Sequence, residues 1–547
     1  MGHRPMVMPR RADLIAGVCV AGLILPQAVA YAGIAGLPPQ RAVLATIAGS
    51  LLYVLAGRSR FAIMSPTSSS AAILGAVLAT APGDPEVKLA LATIAVGLVS
   101  LCFLAAGGLR LGSLTGFVSR PVLRGFTFGL AITIIVGQLP GMVGIELPKA
   151  NVFRLAYEIA AGVPHWHLAS AVTGAVALLA LLALRRLPAI PGGFIVLAAG
   201  IGASMAFDLS GHGVAVVGRI DLLTMPKMPP PLGWDTLSQL TQLVLPLVLV
   251  LFAESWGTLR TLALRNGDRV EPNRELGAFG LANLGAALVQ GMPVGAGFSA
   301  GSAAETAGAA TRWTGVVSAI GLAILVVAGA SLVAHLPEPV LAAVVIASLV
   351  HALDPAPLVR LWKLRRDCYV ATGAAAGVLV FGVLDGMLLA IVLSVLALLQ
   401  RMAAPRIVRL GRLGDGHDYV DVARHPRAVL PEAVAVWRPA EPLFFANAER
   451  ILSQISDRLA AEPVIRIAVV SLEETFDIDS TALDALLEFD TQMKARHVSI
   501  QFARMRDGVR DLIKRAGAAD LLTRISFSVD DAVAAAKLAR TTASGRK

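Results

Sequence analysis

Glu254 sits inside the apolar stretch 243–262, flanked by Val250-Leu-Phe-Ala253. A carboxylate in such surroundings is expensive and by default marks a transport pathway or a proton relay. Protonation during transport is feasible there; the plain alternative is a structural hydrogen bond to a backbone amide. Thr258 lies one helical turn on and could share whatever site Glu254 forms. Ser65-Pro-Thr-Ser-Ser-Ser70 opens one short apolar stretch, and Gly295-Ala-Gly-Phe-Ser299 opens another. Ser65 suits an N-cap and Pro66 a first turn, while the glycines permit close backbone approach. Two helix N-termini facing one another would offer unpaired N–H groups and partial positive charge, enough to hold an anion without a formal charge in hydrocarbon. The same residues also suit ordinary caps and small-residue helix packing, so both readings stand. Gln27 and Tyr31 are four apart and share one helix face. Glu305 falls in the second short stretch, either as a second proton site or as a residue facing a vestibule. His165 and His167 lack the further ligands a metal needs, and no metal site is expected.

The elements that must position these residues follow from composition. The chain has 547 residues, 56% hydrophobic and 15% charged, with mean hydropathy +0.71. Soluble proteins carry about 25% charged residues, and disorder requires low hydrophobicity, so both classes are excluded. A signal peptide does not account for apolar runs that recur as far as residue 399. Fourteen spans are predicted: 14–31, 40–56, 66–80, 89–108, 120–139, 168–184 and 190–207, then 238–262, 276–290, 298–310, 315–335, 339–353, 369–384 and 386–401. The two short ones are third in each set of seven, the pattern of a transporter site built on inverted repeats. The expected repeats are residues 12–210 and 236–401, with a seam around 226–233.

Net charge is +10. Its excess belongs to residues 1–401, which favours a membrane orientation signal over a nucleic-acid partner. With the N-terminus inside and ends counted alternately, 20 Lys/Arg fall inside and 6 outside. The positive-inside rule then places both termini in the cytoplasm. The three cysteines, Cys19, Cys102 and Cys368, form no CxxC site or disulfide framework and read as small buried hydrophobes or idle thiols.

Residues 402–547 change character. Strands are predicted at 433–438, 464–472 and 497–503, helices at 447–459, 480–495 and 506–516, and a frayed tail at 541–547. Such alternation argues for a small cytoplasmic α/β domain with a mostly parallel sheet.

Asp13-Leu-Ile-Ala-Gly17, Leu25-Pro-Gln-Ala-Val-Ala-Tyr31 and Ala35-Gly-Leu-Pro-Pro-Gln40 closely resemble the opening signature of the sulfate permease (SulP) family of anion transporters. The likeness continues at Leu52-Tyr53, Gly57-Arg-Ser-Arg60, Ser65-Pro-Thr67, Glu275-Leu276, Gly280-Leu-Ala-Asn283, Gly291-Met-Pro293, Ala307-Gly-Ala309 and Thr311. Leu443-Phe-Phe-Ala-Asn-Ala-Glu449 and Asp479-Ser-Thr-Ala-Leu483 resemble the STAS domain. The resemblance implies a polytopic helical fold of seven plus seven inverted repeats with core and gate domains. It also implies elevator-like alternating access and a homodimer. The anion would lie between the third and tenth spans, bound by Gln27, Tyr31, Ser65, Thr67, Ser68, Gly297, Phe298, Ser299 and Gly301. Glu254 and Thr258 would couple transport to a cation, H+ in preference to Na+. Where relatives carry a basic residue in the tenth span, this chain reads Ser299-Ala-Gly301, which places selectivity for divalent anions in question. In the STAS-like region, Ser480 and Thr481 occupy the place of a phosphorylatable hydroxyl in related anti-sigma antagonists, or simply a helix cap.

The expectation is therefore secondary transport of an anion, sulfate first and bicarbonate or dicarboxylate as alternatives, in the cytoplasmic membrane. A membrane-tethered signalling protein and an anion channel are the competing classes. No P-loop, GxSxG or zinc spacing is present in the sequence, so neither enzymatic activity nor a cofactor is expected.

Overall fold

The computed structural model describes residues 10–80, 85–112, 120–148, 150–186, 192–218, 234–365, 367–403 and 406–544. The seam at 226–233, the counted charges Arg4, Lys149, Arg219, Lys227 and Arg366, and residues 545–547 lie outside them. The chain divides into two compact units, Met1–Val395 and Leu396–Lys547.

The first unit begins with helices α1 (Arg11–Ala35) and α2 (Pro39–Ala56), a two-residue strand β1 (Met64–Ser65), and helices α3 (Ser68–Thr80) and α4 (Pro85–Gly108). Then come α5 (Arg120–Val143), α6 (Val152–Ala161), α7 (Leu168–Leu184) and α8 (Gly192–Ala206). The second half runs α9 (Trp234–Asn266), α10 (Pro272–Leu288), β2 (Gly295–Ala296), α11 (Phe298–Thr306), α12 (Trp313–Ala328) and α13 (Ala330–Val333). It ends with α14 (Glu338–Leu349), a 3₁₀ turn Val350–Leu353, α15 (Ala356–Leu364), α16 (Cys368–Phe381) and α17 (Val383–Ala403), whose residues from Leu396 on count with the second unit.

A helix stands at each of the fourteen predicted stretches. Among the described residues, seven helices are long and apolar enough to cross a membrane by length and composition. Helices α6 and α15 were not anticipated. Both are short and two-faced, with Phe153, Tyr157 and Trp362 exposed, and neither holds a long apolar run.

The helices sort into two groups. α1 packs on α2, α3, α11 and α12, and α10 packs on α2 and α4, with α9 beside α3, α4 and α11. In the other group α5 packs on α7, α14 and α16, with α7 also against α8 and α14. Buried polar groups stitch the first group together. The Asp13 carboxylate is fully buried and accepts bonds from the Ala310 and Thr311 amides (2.9 and 2.7 Å) and from the Thr311 and Thr314 hydroxyls (2.8 and 2.9 Å). It thereby ties the start of α1 to the segment joining α11 and α12. Glu275 of α10 accepts from the Tyr53 hydroxyl (2.5 Å) and the Arg58 amide (3.1 Å), joining the end of α2 to α10.

The second unit is a sheet with helices. Its elements are β3 (Ile407–Leu413), β4 (Tyr419–Asp421), β5 (Ala428–Val429), β6 (Val434–Pro439), α18 (Ala448–Ala460), β7 (Ile467–Ser471) and α19 (Ser480–Ala495). They continue with β8 (Ser499–Ala503), α20 (Asp507–Arg515), α21 (Ala519–Leu522), β9 (Ile525–Ser526) and α22 (Val529–Ser544). Strand order is β4-β3-β6-β7-β8-β9, with β5 on β3. Pairings from β6 to β9 are parallel, while β3 is antiparallel to its neighbours. The predicted strands and helices thus stand, and the sheet is larger at both edges than the sequence suggested. The expected frayed tail needs correction: α22 extends to Ser544, and its inner face buries Ala532, Val533 and Ala536 beside the sheet.

Candidate anion site

β1 and β2 are the pivot of the first unit. Met64 pairs with Ala296 and Ser65 with Gly295, antiparallel, so α3 and α11 start from a common point on opposite strands. Two halves of one chain therefore present their interrupted helices end to end, the arrangement in which N–H groups and partial positive charge converge. Gly295 is required there. A Cβ would lie 2.6 Å from Ser255 Oγ and 2.7 Å from Leu251 Cδ1. The Ser255 hydroxyl in turn accepts the Ala296 amide at 3.0 Å.

The cap of α3 differs from the sequence expectation. Ser65 belongs to β1 and Pro66 precedes the helix, because strand pairing holds the chain extended for two further residues. Thr67 is the cap: its hydroxyl accepts the Ser70 amide at 3.2 Å, and the Ser70 hydroxyl accepts the Thr67 amide at 3.0 Å. This is a reciprocal capping box with serine in the third helical position. The Thr67 hydroxyl also donates to Glu254 Oε2 at 3.0 Å, and Ser69 hydrogen-bonds the same carboxyl. Helix α11 has no side-chain cap at Gly297, and its first internal bond runs from the Gly301 amide to the Gly297 carbonyl at 3.0 Å. The amides of Phe298, Ser299 and Ala300 thus have no acceptor within the helix.

A cavity of about 90 Å³ lies at this junction. It is lined by Gln27, Tyr31, Ser65, Thr67, Ser68, Gly297, Phe298, Ser299 and Glu254, bringing together nine of the residues singled out from the sequence. Gln27 Nε2 donates to Ser299 Oγ at 3.1 Å, so α1 and α11 meet across the cavity wall. The Tyr31 hydroxyl is hydrogen-bonded with Ser348. Gly301 and Thr258 do not line the cavity; they pack beside one another behind it. A Cβ on Gly301 would stand 2.9 Å from Leu262 Cδ1 and 3.3 Å from Thr258 Cγ2, so the glycine serves the close approach of α11 to α9. Glu305 also points elsewhere, accepting Asn266 Nδ2 at 2.6 Å and lying 3.7 Å from Arg265. His167 caps α7, with Nδ1 beside the Ser170 hydroxyl at 2.9 Å.

Several lining residues were not found from the sequence. Ser69, Thr127, Leu130 and Ala131, together with Ser348, Leu349, His351 and Ala352, complete the wall. Ser69 lies on α3 beside the cap; the others belong to α5, the end of α14 and the turn after it, in the second group. Their spacing carries no polar motif, and only packing brings them here. A larger cavity of about 710 Å³ shares Gln27, Phe298, Ser299, Ser348 and His351 with the small one and so adjoins it. Cys19, expected to be buried or idle, is exposed on its wall; Cys102 is half-buried and Cys368 buried.

In the second unit Asp479 caps α19, accepting the Ala482 amide at 2.9 Å and the Phe445 amide at 2.7 Å. Ser480 and Thr481 are both exposed in the first turn. Among the described residues no cluster of three or more metal-ligating side chains occurs.

Comparison with known proteins places this architecture. A family model described as the sulfate permease family matches residues 11–374, and a STAS domain model matches 422–532. A probable sulfate transporter of Mycobacterium tuberculosis is 34% identical over 525 residues, 94% of this chain and 92% of that one. The murine solute carrier 26 family member A9 anion transporter, solved in the inward-facing state, superposes with a TM-score of 0.88 at 19% identity, covering 98% of this chain and 93% of that chain. The transmembrane domain of the cyanobacterial bicarbonate transporter BicA gives a TM-score of 0.60 at 21% identity, covering 70% of this chain and 97% of that chain. The chain belongs to the sulfate permease family, with a STAS domain following its helical unit.

Proposed function

We propose that the protein is a secondary transporter of an inorganic anion, sulfate, across the cytoplasmic membrane. The observation that carries this reading is the small cavity where the starts of α3 and α11 converge on β1 and β2, walled by Gln27 and Ser299 and holding the Glu254–Thr67 bond. Partial positive charge and free amides suit an oxyanion of a few atoms. The M. tuberculosis relative, named a probable sulfate transporter, supports sulfate; bicarbonate, named for BicA, is the alternative.

The cavity lies between the two helix groups: α1, α3, α9 and α11 form one side, α5 and the end of α14 the other. Movement of the first group past the second would carry the site across the membrane, an elevator-like form of alternating access. Glu254 shares its cavity with the anion, so taking up a proton there removes a like charge and couples the two ligands. H+ symport follows from this.

All fourteen stretches cross the membrane in this reading, with both termini cytoplasmic. Segments assigned inside from Lys/Arg counting do meet one another: Arg60 binds Asp268 at 2.7 Å, and Arg312 Nη1 donates to the Gly57 carbonyl at 2.9 Å. Segments assigned outside also meet, the Val217 amide bonding the Leu336 carbonyl at 3.0 Å. Arg185 and Cys19, near ends placed inside, line the larger cavity, which supports a vestibule on the cytoplasmic side in this reading. The domains fall at residues 1–401 and 402–547, the working form is a homodimer, and Thr481 is the regulatory hydroxyl of the STAS domain.

Uptake of radiolabelled sulfate, bicarbonate and succinate into proteoliposomes with an imposed proton gradient tests the reading. Saturable, acid-stimulated sulfate uptake is expected. Uptake of none of the three refutes transport, and a preference for bicarbonate or succinate reassigns the substrate.

A further inference from the structure

The larger cavity has a one-sided chemistry. Among the described residues neither Asp nor Glu lines it, whereas Arg185, just past α7, and His351, in the 3₁₀ turn after α14, both do. Among the described residues, neither the Arg185 guanidinium nor the His351 imidazole has a hydrogen-bond or ion-pair partner; both are exposed and free to meet an incoming anion. His351 also lines the small cavity, so its ring stands at the neck between the two.

An anion passing that neck leaves water for a site with no formal positive charge. Helix α11 offers Ser299-Ala-Gly301 and no cation. Each helix start contributes only about half an elementary charge, while Glu254 on the same cavity can carry a full negative one. A divalent anion is therefore short of positive charge where the two cavities join. Imidazole is the side chain whose ordinary titration falls near neutrality, and it keeps an N–H donor in either state.

The titratable groups facing this position are few. Glu254 comes from α9, Tyr31 and Cys19 from α1, and Arg185 from the end of α7. Helix α5, packed directly against the turn, contributes Thr127, Leu130 and Ala131, which do not titrate. Helices α8 and α11 bring only Gly, Phe, Ser, Thr and Ala to these walls. On its own segment Asp354 follows three residues later, its amide bonding the His351 carbonyl at 3.3 Å.

We propose that His351 is an anion-binding residue at the neck of the site, and that its protonated ring supplies the full positive charge that α11 lacks. This rests on the small cavity being the anion site. Acid then acts twice on separate groups: Glu254 loses a repelling charge, and His351 gains an attracting one. Arg185 draws the anion into the vestibule, and His351 hands it to the helix starts. Selectivity for a doubly over a singly charged anion consequently rises as the pH falls.

The test is calorimetric binding of sulfate, with nitrate as the singly charged comparator, to the purified full-length protein between pH 8 and pH 5.5. The Glu254→Gln background removes the carboxylate's own titration. There, sulfate affinity should rise about tenfold on acidification, the coupling expected of an opposite charge at contact distance, and nitrate affinity by less. His351→Gln should abolish that rise, whereas His351→Arg should hold the high affinity at every pH, a rescue that a merely structural role would not produce. Arg185→Gln should leave the pH profile intact and make binding slower. Persistence of the tenfold rise in His351→Gln overturns the proposal, as does an arginine variant that binds no better than glutamine. If the wild type binds sulfate equally at all pH values and Ser299→Trp abolishes that binding, the site stands and only the role of His351 falls. If the wild type binds neither anion, the reading of the cavity fails, and this proposal with it.

Discussion

Replacing Thr67 with valine removes one oxygen and retains the branched shape. That oxygen holds two bonds: it donates to Glu254 Oε2 at 3.0 Å and accepts the Ser70 amide at 3.2 Å. Loss of an N-cap acceptor costs about 1 kcal/mol. Leaving a carboxyl short of a donor adds about 1–3 kcal/mol. Thr67 is 4% exposed, so water does not readily take over either bond. The expected destabilisation is therefore about 2–4 kcal/mol. Transport should suffer separately: without the Thr67 donor the Glu254 carboxyl is less well held beside the anion, an effect of about 0.5–1.5 kcal/mol, or roughly 2- to 12-fold in affinity. The assay pairs thermal unfolding in detergent with sulfate uptake into proteoliposomes, and Thr67→Ser serves as the control that keeps the hydroxyl. Valine should lower both the unfolding midpoint and the apparent affinity, while serine stays near wild type. If the valine and serine variants behave alike in both assays, the hydroxyl has no role in either cap or site, and the reasoning fails.

Glu254→Gln should abolish uphill uptake driven by a proton gradient while preserving anion binding; wild-type, gradient-driven accumulation by this variant would remove its coupling role. Ser299→Trp should fill the cavity and block it, and unchanged substrate affinity would move the site elsewhere. Asp13→Ala leaves the Ala310 and Thr311 amides and two hydroxyls without their acceptor in a fully buried place. A loss of about 3–5 kcal/mol is expected, read as a lower unfolding midpoint and checked against the milder Asp13→Asn. In the STAS domain, burial alone would raise the pKa of Asp490, but bonds from Arg524 (2.6 and 2.7 Å) and Lys494 outweigh it and hold the carboxyl below its ordinary value of 3.8. A depressed carboxyl contributes stability above its unfolded-state pKa and loses it as the pH falls through the folded one. Hydrogen exchange around residues 490–524 should thus accelerate only below about pH 4. Asp490→Asn should remove that acid step and cost about 2–3 kcal/mol at neutral pH.

The architecture was legible because hydrocarbon imposes long apolar runs, so span positions follow from composition alone. Helix existence at all fourteen stretches was foreseen, as was the alternating pattern that builds the parallel part of the STAS sheet. What escaped were elements without that imposed pattern: the two-faced helices α6 and α15, the outer strands β3 to β5 and β9, and α22. The start of α3 was misplaced for a related reason. Local propensity favours Ser65 and Pro66 as a helix opening, yet pairing with Gly295, a partner 230 positions away in sequence, keeps them extended.

By itself the sequence determined the chemistry that burial makes costly. Glu254, Gln27 and the two Ser/Gly-rich starts had to be explained, because polar groups in an apolar stretch demand partners. Tertiary structure alone decided which of them share a space. It set Thr67 against Glu254 and Gln27 against Ser299, left Gly301, Thr258 and Glu305 off the cavity wall, and brought Ser348 and His351 across from a segment with no motif. The physical reason is that side chains converge through helix packing and strand pairing over hundreds of residues, which a one-dimensional pattern does not carry.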